Sequence, residues 1–144
     1  MNLAMVQRIL GLMLMVFSLT MLPPVGVSLA YGDGHYVPFL DAFLAVAVIG
    51  LLVWLPVRRV QRDLRLRDGF LVVALFWVIL GFAGATPLLI SDVPDLSVTD
   101  AVFEAVSGFT TTGATVIVGL DGLPKSILYY RQQIQWLGGM GIIV

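Results

Sequence analysis

The sequence contains no cysteine, and only 12 % of its 144 residues are charged. The absence of cysteine excludes disulfides, thiolate metal sites and cysteine nucleophiles. A net charge of −1 gives no basis for nucleic-acid binding or for an electrostatically steered acidic partner. Soluble domains carry about 25 % charged residues, whereas 59 % of this chain is apolar. The composition therefore indicates a protein of the lipid bilayer.

The residue groups that support catalysis are also missing from the sequence. It contains no cluster of metal-ligating residues, no nucleophile paired with a base and no glycine-rich phosphate loop. We therefore expect neither an enzyme nor a covalently bound cofactor.

Three apolar stretches are long enough to cross a bilayer as helices, which takes about 20 residues. They are Ile9–Tyr31, Pro38–Val57 and Gly69–Ser91. The alternative for the first is a signal peptide, but the apolar region of such a peptide is only about 7–15 residues long. We therefore expect a retained helix. In the second stretch, Asp41 is expected in the first turn, near the positive end of the helix dipole.

The loop 58–68 holds five of the eight basic residues. Basic residues concentrate in cytoplasmic loops, and the loops Pro23–Val37 and Ser91–Asp100 contain neither Lys nor Arg. The sequence therefore predicts a cytoplasmic N-terminus carrying Arg8. Aspartates interrupt the arginines, so contact with anionic lipid is a better interpretation of the loop than binding of nucleic acid.

A fourth apolar segment follows, but only its first part has a helical pattern. Ser97 is a candidate N-cap with Asp100 three residues later, and Gly108 is expected to end the helix. A helix over 98–107 is about 15 Å long, half the thickness of the hydrocarbon core. We therefore expect it to enter the membrane and the chain to return on the same side.

The residues after this short helix are poor helix formers, because β-branching and glycine both cost helix stability. Non-helical backbone in hydrocarbon is tolerated only when it is buried in protein or lines a watery cavity. An extended stretch there presents carbonyls and hydroxyls, which can replace the hydration shell of a monovalent cation. We expect a cation filter, the alternative being a polar break packed against neighbouring helices. The candidate ion-binding residues are Thr110, Thr111, Thr112, Gly113 and Ala114.

Two charged residues are candidates for supporting this filter. Glu104 is the only charge inside the re-entrant stretch, and a charge at that depth needs a partner. We expect it to pair with Arg131 or to accept hydrogen bonds from the filter backbone, in preference to binding the ion directly. For Arg131, anchoring the next helix at the outer interface is the favoured alternative. Tyr130 is expected in the aromatic belt at that interface.

Small residues are expected to allow close helix contacts. Gly81 and Gly84 give the third apolar stretch a small-residue face, and Gly138, Gly139 and Gly141 do the same for an inner helix over the last residues. Gly113 has a different role, because it permits a positive φ that turns a carbonyl toward the pore axis.

The fold class predicted by these patterns is an all-α membrane protein. Residues 1–67 form an N-terminal transmembrane helix pair with its arginine-rich loop. Residues 68–144 form one helix–pore loop–helix repeat, with an outer helix over 69–91 and the pore helix over 98–107. The inner helix over 130–144 covers about 22 Å, less than a bilayer. We therefore expect a truncated inner helix and an N-terminal fragment of a longer protein.

Two longer motifs resemble a known family. They are DAVFEAVSGFTTTGAT at 100–115 and RQQIQWLGGMGI at 131–142. Together they closely resemble the first pore-loop repeat of the Trk-type potassium uptake subunit, the TrkH/TrkG branch of the Trk/Ktr/HKT superfamily. The two apolar spans that precede this repeat match the extra N-terminal helix pair of that branch, so the resemblance covers the whole chain.

The resemblance implies potassium uptake across the bacterial cytoplasmic membrane, through one pore made of four covalently linked, non-identical repeats. This chain supplies the first repeat, and the remaining three are its partners in the full-length protein. The resemblance also implies a homodimer of the membrane subunit and a cytosolic nucleotide-binding regulatory subunit of the TrkA type.

Carried over onto this sequence, the resemblance places potassium at Thr111, Thr112 and Gly113, with Thr110 and Ala114 at the filter edges. The three central residues occupy the first places of the Thr-Val-Gly-Tyr-Gly pattern of tetrameric potassium channels. The two positions after Gly113 depart from the Tyr-Gly of that pattern, which implies looser discrimination between cations.

Two other classes of membrane protein stay open at this point. A secondary transporter with a re-entrant hairpin binds its solute at a broken helix, and it would need a second, inverted copy of the hairpin. A non-transporting assembly protein would instead tolerate substitution at Thr111–Gly113.

Overall fold

A computed structural model describes residues 2–143, with side chains through Gly141. Within these residues the secondary structure is helical, with no strand. The α-helices are α1 (Leu3–Ser18), α2 (Leu22–Tyr31), α3 (Tyr36–Trp54), α4 (Leu66–Ile90), α5 (Val98–Phe109) and α6 (Lys125–Ile143). Three 3₁₀ turns lie at Leu19–Met21, Leu55–Val57 and Leu120–Gly122. The all-α prediction is therefore confirmed.

Three continuous helical segments of the described chain are long and apolar enough to cross a membrane. They are Leu3–Tyr31, Tyr36–Val57 and Leu66–Ile90, and each begins a few residues before the predicted span. Hydrocarbon about 30 Å thick needs about 20 helical residues, and the shortest segment has 22. The chain is therefore a multi-pass membrane protein. Its first segment packs against α3 and α4.

The 3₁₀ turn between α1 and α2 precedes two prolines. Pro24 has no N–H to donate to the carbonyl of Thr20, four residues earlier, so that carbonyl loses its helical partner. The side chain of Gln133 on α6 replaces it, with Nε2 donating to Thr20 O at 2.6 Å. An unpaired backbone carbonyl is costly away from water. The hydrogen bond from Gln133 therefore holds α6 against the turn between α1 and α2.

The two ends of the bundle are marked by contacts between loops that are distant in sequence. At one end, Arg8 Nη1 donates to the carbonyl of Val60, in the arginine-rich loop. At the other end, Asp33 in the α2–α3 loop accepts a hydrogen bond from the backbone N–H of Ser126, at the start of α6. Helix α5 has 12 residues, about 18 Å. The chain between α4 and α6 therefore enters the bundle and leaves it at the same end.

Helix α6 begins five residues before the predicted inner helix, at Lys125 instead of residue 130. The polar residues at its start have partners in the folded chain. Asp33 accepts from the N–H of Ser126, and Glu104 pairs with Arg131. The helix therefore includes these polar residues, although their polarity does not favour a membrane helix. Val144, the predicted last residue of this helix, lies outside the described residues.

Gly108 does not end the pore helix, because α5 continues through it to Phe109. Gly108 is buried, and a Cβ at this position would lie 2.5 Å from Cδ1 of Ile134. The missing side chain therefore serves the packing of α6 on α5. At this position the glycine allows close helix packing and does not terminate the helix.

Two further local expectations are corrected by the structure. Asp41 lies beyond the first turn of α3, because that helix starts at Tyr36 and its first turn contains no acidic residue. Tyr130 is fully buried instead of lying in an interfacial belt. Its hydroxyl donates to the carbonyl of Gly84 at 2.6 Å, and its ring packs edge-on against Phe39.

Candidate functional site

Helix α5 starts with the predicted cap and packs into the small-residue face of α4. Ser97 Oγ accepts a hydrogen bond from the N–H of Asp100 at 3.2 Å. A Cβ on Gly84 would lie 2.4 Å from the ring of Phe109, and one on Gly81 would lie 2.8 Å from Val106. The two glycines therefore let α5 approach α4 closely, which is the close contact that the sequence predicted.

After Phe109 the chain turns and runs back along α5. The N–H of Thr111 donates to the carbonyl of Gly108 at 3.0 Å, and the N–H of Thr112 donates to the carbonyl of Ser107 at 2.9 Å. Further along, the hydroxyl of Ser107 donates to the carbonyl of Ala114 at 2.6 Å. One side of the returning segment is therefore fastened to the C-terminal turn of the pore helix.

The opposite side of this segment is open. Thr110 through Val116 are all exposed in the described chain, and the hydroxyls of Thr110 and Thr112 lie 2.8 Å apart. The five predicted ion-binding residues therefore lie together on one uncovered, oxygen-rich surface of the hairpin. No group of three or more His, Cys, Asp or Glu that could hold a metal lies among the residues 2–143.

Two residues of the segment have left-handed backbone conformations, Thr111 with φ 56° and Gly113 with φ 75°. Glycine adopts a positive φ freely, and a Cβ on Gly113 would have no neighbour within 4 Å. The positive φ predicted for Gly113 is therefore present. A β-branched residue in this region is an outlier, and such strain costs about 1–3 kcal/mol and persists only where surrounding contacts hold it.

Glu104 connects the pore helix, the returning segment and α6. Its Oε1 accepts from the N–H of Val116 at 2.7 Å and from the hydroxyl of Thr115. Its Oε2 accepts from Nη2 and Nε of Arg131 at 3.1 and 3.3 Å. Glu104 is 3 % exposed and Arg131 is 8 % exposed. Water therefore contributes little to the solvation of either charged side chain.

The expected pairing of Glu104 with Arg131 is present. Its backbone hydrogen bond comes from Val116, two residues beyond the predicted filter 110–114, and belongs to the same network. The guanidinium of Arg131 is buried against Glu104, so it is not the free anchor that the favoured alternative described. The buried carboxylate has four donors, which is the condition under which a buried charge is tolerated.

Helix α6 contacts the start of the returning segment through a glycine. A Cβ on Gly138 would lie 2.0 Å from the carbonyl oxygen of Phe109, which no real side chain allows. Gly139 is less constrained, since its Cβ would lie 3.7 Å from the methyl group of Thr111. The close packing predicted for the glycines of α6 is thus carried by Gly138.

Three residues of this region were not singled out in the sequence. Ser107 and Thr115 look like ordinary polar residues beside the threonine run, although a serine in an otherwise apolar turn is a usable signal. Asp33 is distant in sequence, and no local pattern connects it with α6. Its contact with Ser126 could be recognised only after folding.

Asp33 lies outside the membrane-spanning helices, and its carboxylate connects the α2–α3 loop with the start of α6. Burial alone raises the pKa of its carboxyl group, but hydrogen bonds from the hydroxyl of Ser28 and the N–H groups of His35 and Ser126 outweigh that effect. They lower the pKa to about 2. The carboxylate is therefore charged at neutral pH and lies at the N-terminus of α6, where the helix dipole favours negative charge.

Three apolar helices long enough to span a membrane, followed by the short helix α5 and an exposed, oxygen-rich segment, place this chain among the multi-pass membrane proteins. The sequence profile described as "TrkH: Cation transport protein" matches residues 35–144. The chain belongs to this family of cation transport proteins.

Relatives in the family are similar along the whole chain. The Trk system potassium uptake protein TrkH of Halomonas elongata is 57 % identical over 144 residues, which are all of this chain and 30 % of that protein. TrkH of Escherichia coli K12 is 51 % identical over 139 residues, covering 96 % of this chain and 29 % of the relative. The chain therefore spans about a third or less of the length of these relatives.

A solved structure has the same fold. The crystal structure of the potassium transporter TrkH from Vibrio parahaemolyticus superposes with a TM-score of 0.95 at 57 % sequence identity. The match covers 99 % of this chain and 31 % of that chain. The helix arrangement described above is thus the arrangement of one part of a TrkH transporter.

Proposed function

We propose that this chain forms the first of four pore-loop repeats in a potassium uptake protein. The observation that carries the proposal is the exposed segment that follows α5 in the chain. This segment presents its oxygen-rich side away from the helix. The relatives named above are potassium uptake proteins, and this chain matches 29–31 % of their length. That share fits one repeat together with an N-terminal helix pair, with region 1–67 as the pair and 68–144 as the repeat.

The proposed mechanism is replacement of the ion's hydration shell by filter oxygens. A trans peptide points the carbonyl of one residue opposite to the N–H of the next. The N–H of Thr112 points at α5, so the carbonyl of Thr111 points away from it, toward the open side. Thr111, Thr112 and Gly113 are the proposed potassium ligands, with Thr110 and Ala114 at the filter edges. Rings of such oxygens can exchange with water around a monovalent cation.

Glu104 and Arg131 are proposed to support the filter without contacting the ion. Glu104 holds the backbone of Val116 and is itself neutralised by Arg131. This arrangement fixes the position of the returning segment relative to α6 while adding no net charge beside the cation path.

The complete protein is proposed to lie in the bacterial cytoplasmic membrane as a homodimer, with a cytosolic nucleotide-binding subunit of the TrkA type. Potassium is its transported ion, and no cofactor is required for the mechanism above. The arginine-rich loop is proposed to face the cytoplasm, because basic residues are retained on that side.

The filter assignment is tested with Gly113→Ala in the full-length protein. No atom opposes the new Cβ, so the change acts only through φ, at a cost of about 1 kcal/mol or more. We expect the ratio of potassium to sodium uptake to fall about fivefold. Gly139→Ala on α6 is the matched control, since its Cβ fits at an ordinary 3.7 Å distance. An unchanged ratio in well-expressed Gly113→Ala would remove this residue from the filter.

The orientation is tested with single cysteines in the cysteine-free chain. Gln61 and Asp92 are both exposed and lie in the loops before and after α4. A membrane-impermeant thiol reagent applied to intact cells should label Asp92→Cys and leave Gln61→Cys unlabelled until the cells are opened. Labelling of Gln61→Cys from outside would reverse the proposed orientation.

A further inference from the structure

Ser107 contacts the returning segment through both its carbonyl and its hydroxyl. Its carbonyl accepts from the N–H groups of Thr112 and Gly113, at 2.9 and 3.4 Å. Its hydroxyl donates to the carbonyl of Ala114 at 2.6 Å. The side chain is buried at 6 % exposure, so water does not compete for these contacts. One residue of the pore helix therefore orients three consecutive residues of the filter.

The contacts fix the directions of individual carbonyls. The N–H groups of Thr112 and Gly113 point toward Ser107, so the carbonyls of Thr111 and Thr112 point to the open side. The carbonyl of Ala114 has the opposite direction, because it points at the Ser107 hydroxyl. The carbonyl direction changes between Thr112 and Ala114, at Gly113, which has a positive φ.

We propose that Ser107 is a positioning residue that keeps the Ala114 carbonyl out of the ion path. The ion-coordinating part of this repeat then ends at Gly113, although Ala114 lies on the exposed side of the hairpin. The proposal rests on the proposed function, since it concerns how many oxygens this repeat offers to potassium. The number and field of coordinating oxygens are what distinguish one monovalent cation from another.

The test is Ser107→Ala in the full-length protein, reconstituted in liposomes. The substitution removes the donor to Ala114 and leaves the backbone carbonyl of residue 107 in place. The freed Ala114 carbonyl can then turn toward the ion. We expect the ratio of potassium to sodium uptake to change about three- to tenfold, the range for one lost hydrogen bond. The change should lie in the apparent KM for the ion more than in the maximal rate.

Two further variants separate the hydroxyl from a general loss of structure. Ser107→Thr retains the donor and should keep a ratio close to that of the wild type. Ser18→Ala removes another buried serine hydroxyl, which bonds only to Met15 in the preceding turn of α1, and should leave the ratio unchanged. If Ser107→Ala does not reach the membrane, Ser107→Cys, with its much weaker donor, should give the same shift.

The outcomes are decisive in each case. A wild-type ratio in well-expressed Ser107→Ala or Ser107→Cys would overturn the role of Ser107, and so would an equal shift in Ser107→Thr. These results leave the proposed function in place as long as the wild-type protein takes up potassium. Absence of potassium uptake by the wild-type protein would instead contradict the proposed function itself.

Discussion

The contact between α1 and α3 and the contact between α5 and α6 are both close, but their chemistry differs. Helices α1 and α3 cross at Gly11 and Gly50, where a Cβ on either glycine would lie within about 3 Å of the carbonyl oxygen of the other. This crossing is a backbone-to-backbone contact between apolar helices. Small residues allow such an approach in a membrane, where van der Waals packing replaces the hydrophobic effect as the driving force.

The α5–α6 contact adds a buried polar network to close packing. Gly138 brings α6 against the carbonyl of Phe109, and Glu104 and Arg131 form an ion pair between the same two helices. The reason is the returning segment, whose non-helical backbone has few partners of its own. Backbone polar groups at membrane depth must be satisfied by protein or water, so this region needs side-chain donors and acceptors that the α1–α3 pair does not.

The largest effect is expected from breaking the buried ion pair with Arg131→Met. Removing one partner leaves Glu104 charged and uncompensated, which costs about 3–5 kcal/mol. The free energy of unfolding of the full-length protein, measured in mixed micelles, should fall by that amount. Arg62→Met in the exposed loop should change it by no more than about 0.5 kcal/mol.

A double-mutant cycle sharpens this prediction. Adding Glu104→Gln to Arg131→Met should cost less than the sum of the two single changes, because the stranded charge is then removed. Additive losses would show that the two side chains act independently, and the network would lose its proposed role.

A smaller effect is expected at the α1–α3 crossing. Gly11→Ala places a Cβ 2.9 Å from the carbonyl oxygen of Gly50, and overpacking of this kind costs about 1–3 kcal/mol. The same unfolding assay should detect the loss, while the potassium to sodium uptake ratio stays unchanged. Gly26→Ala in α2 has no neighbour within 4 Å and should not destabilise the protein. Equal effects of the two substitutions would argue against close packing as the cause.

The smallest effect is expected for Asp33→Asn, which removes the charge at the start of α6. The pKa of Asp33 is lowered to about 2 from 3.8, so its stabilising contribution is complete above pH 3.8 and is lost as the pH falls through 2. Melting temperatures of the wild type and the variant should therefore differ at pH 7 and converge as the pH approaches 2. A difference that persists unchanged at acid pH would exclude the carboxylate charge as its cause.

The three long helices and the short pore helix were predictable because their signals are local. Each span is a long, mostly apolar stretch. Ser97 caps α5 as its sequence suggests, and Gly113 has the expected positive φ. Helix length, capping and backbone preference depend on residues within a few positions of one another. The boundaries were less accurate at α6, where the start at Lys125 depends on Asp33.

Which polar groups meet one another depends on how the helices pack. Glu104 and Arg131 are 27 residues apart, and Asp33 and Ser126 are 93 residues apart, so no local pattern specifies either pair. The burial of Tyr130 and the direction of the Ala114 carbonyl depend in the same way on how the helices pack. Local sequence patterns predict a membrane-spanning chain in which a threonine–glycine segment interrupts the helical pattern. Packing determined which oxygens of that segment face outward, because a carbonyl takes its direction from the donor that folding brings to it.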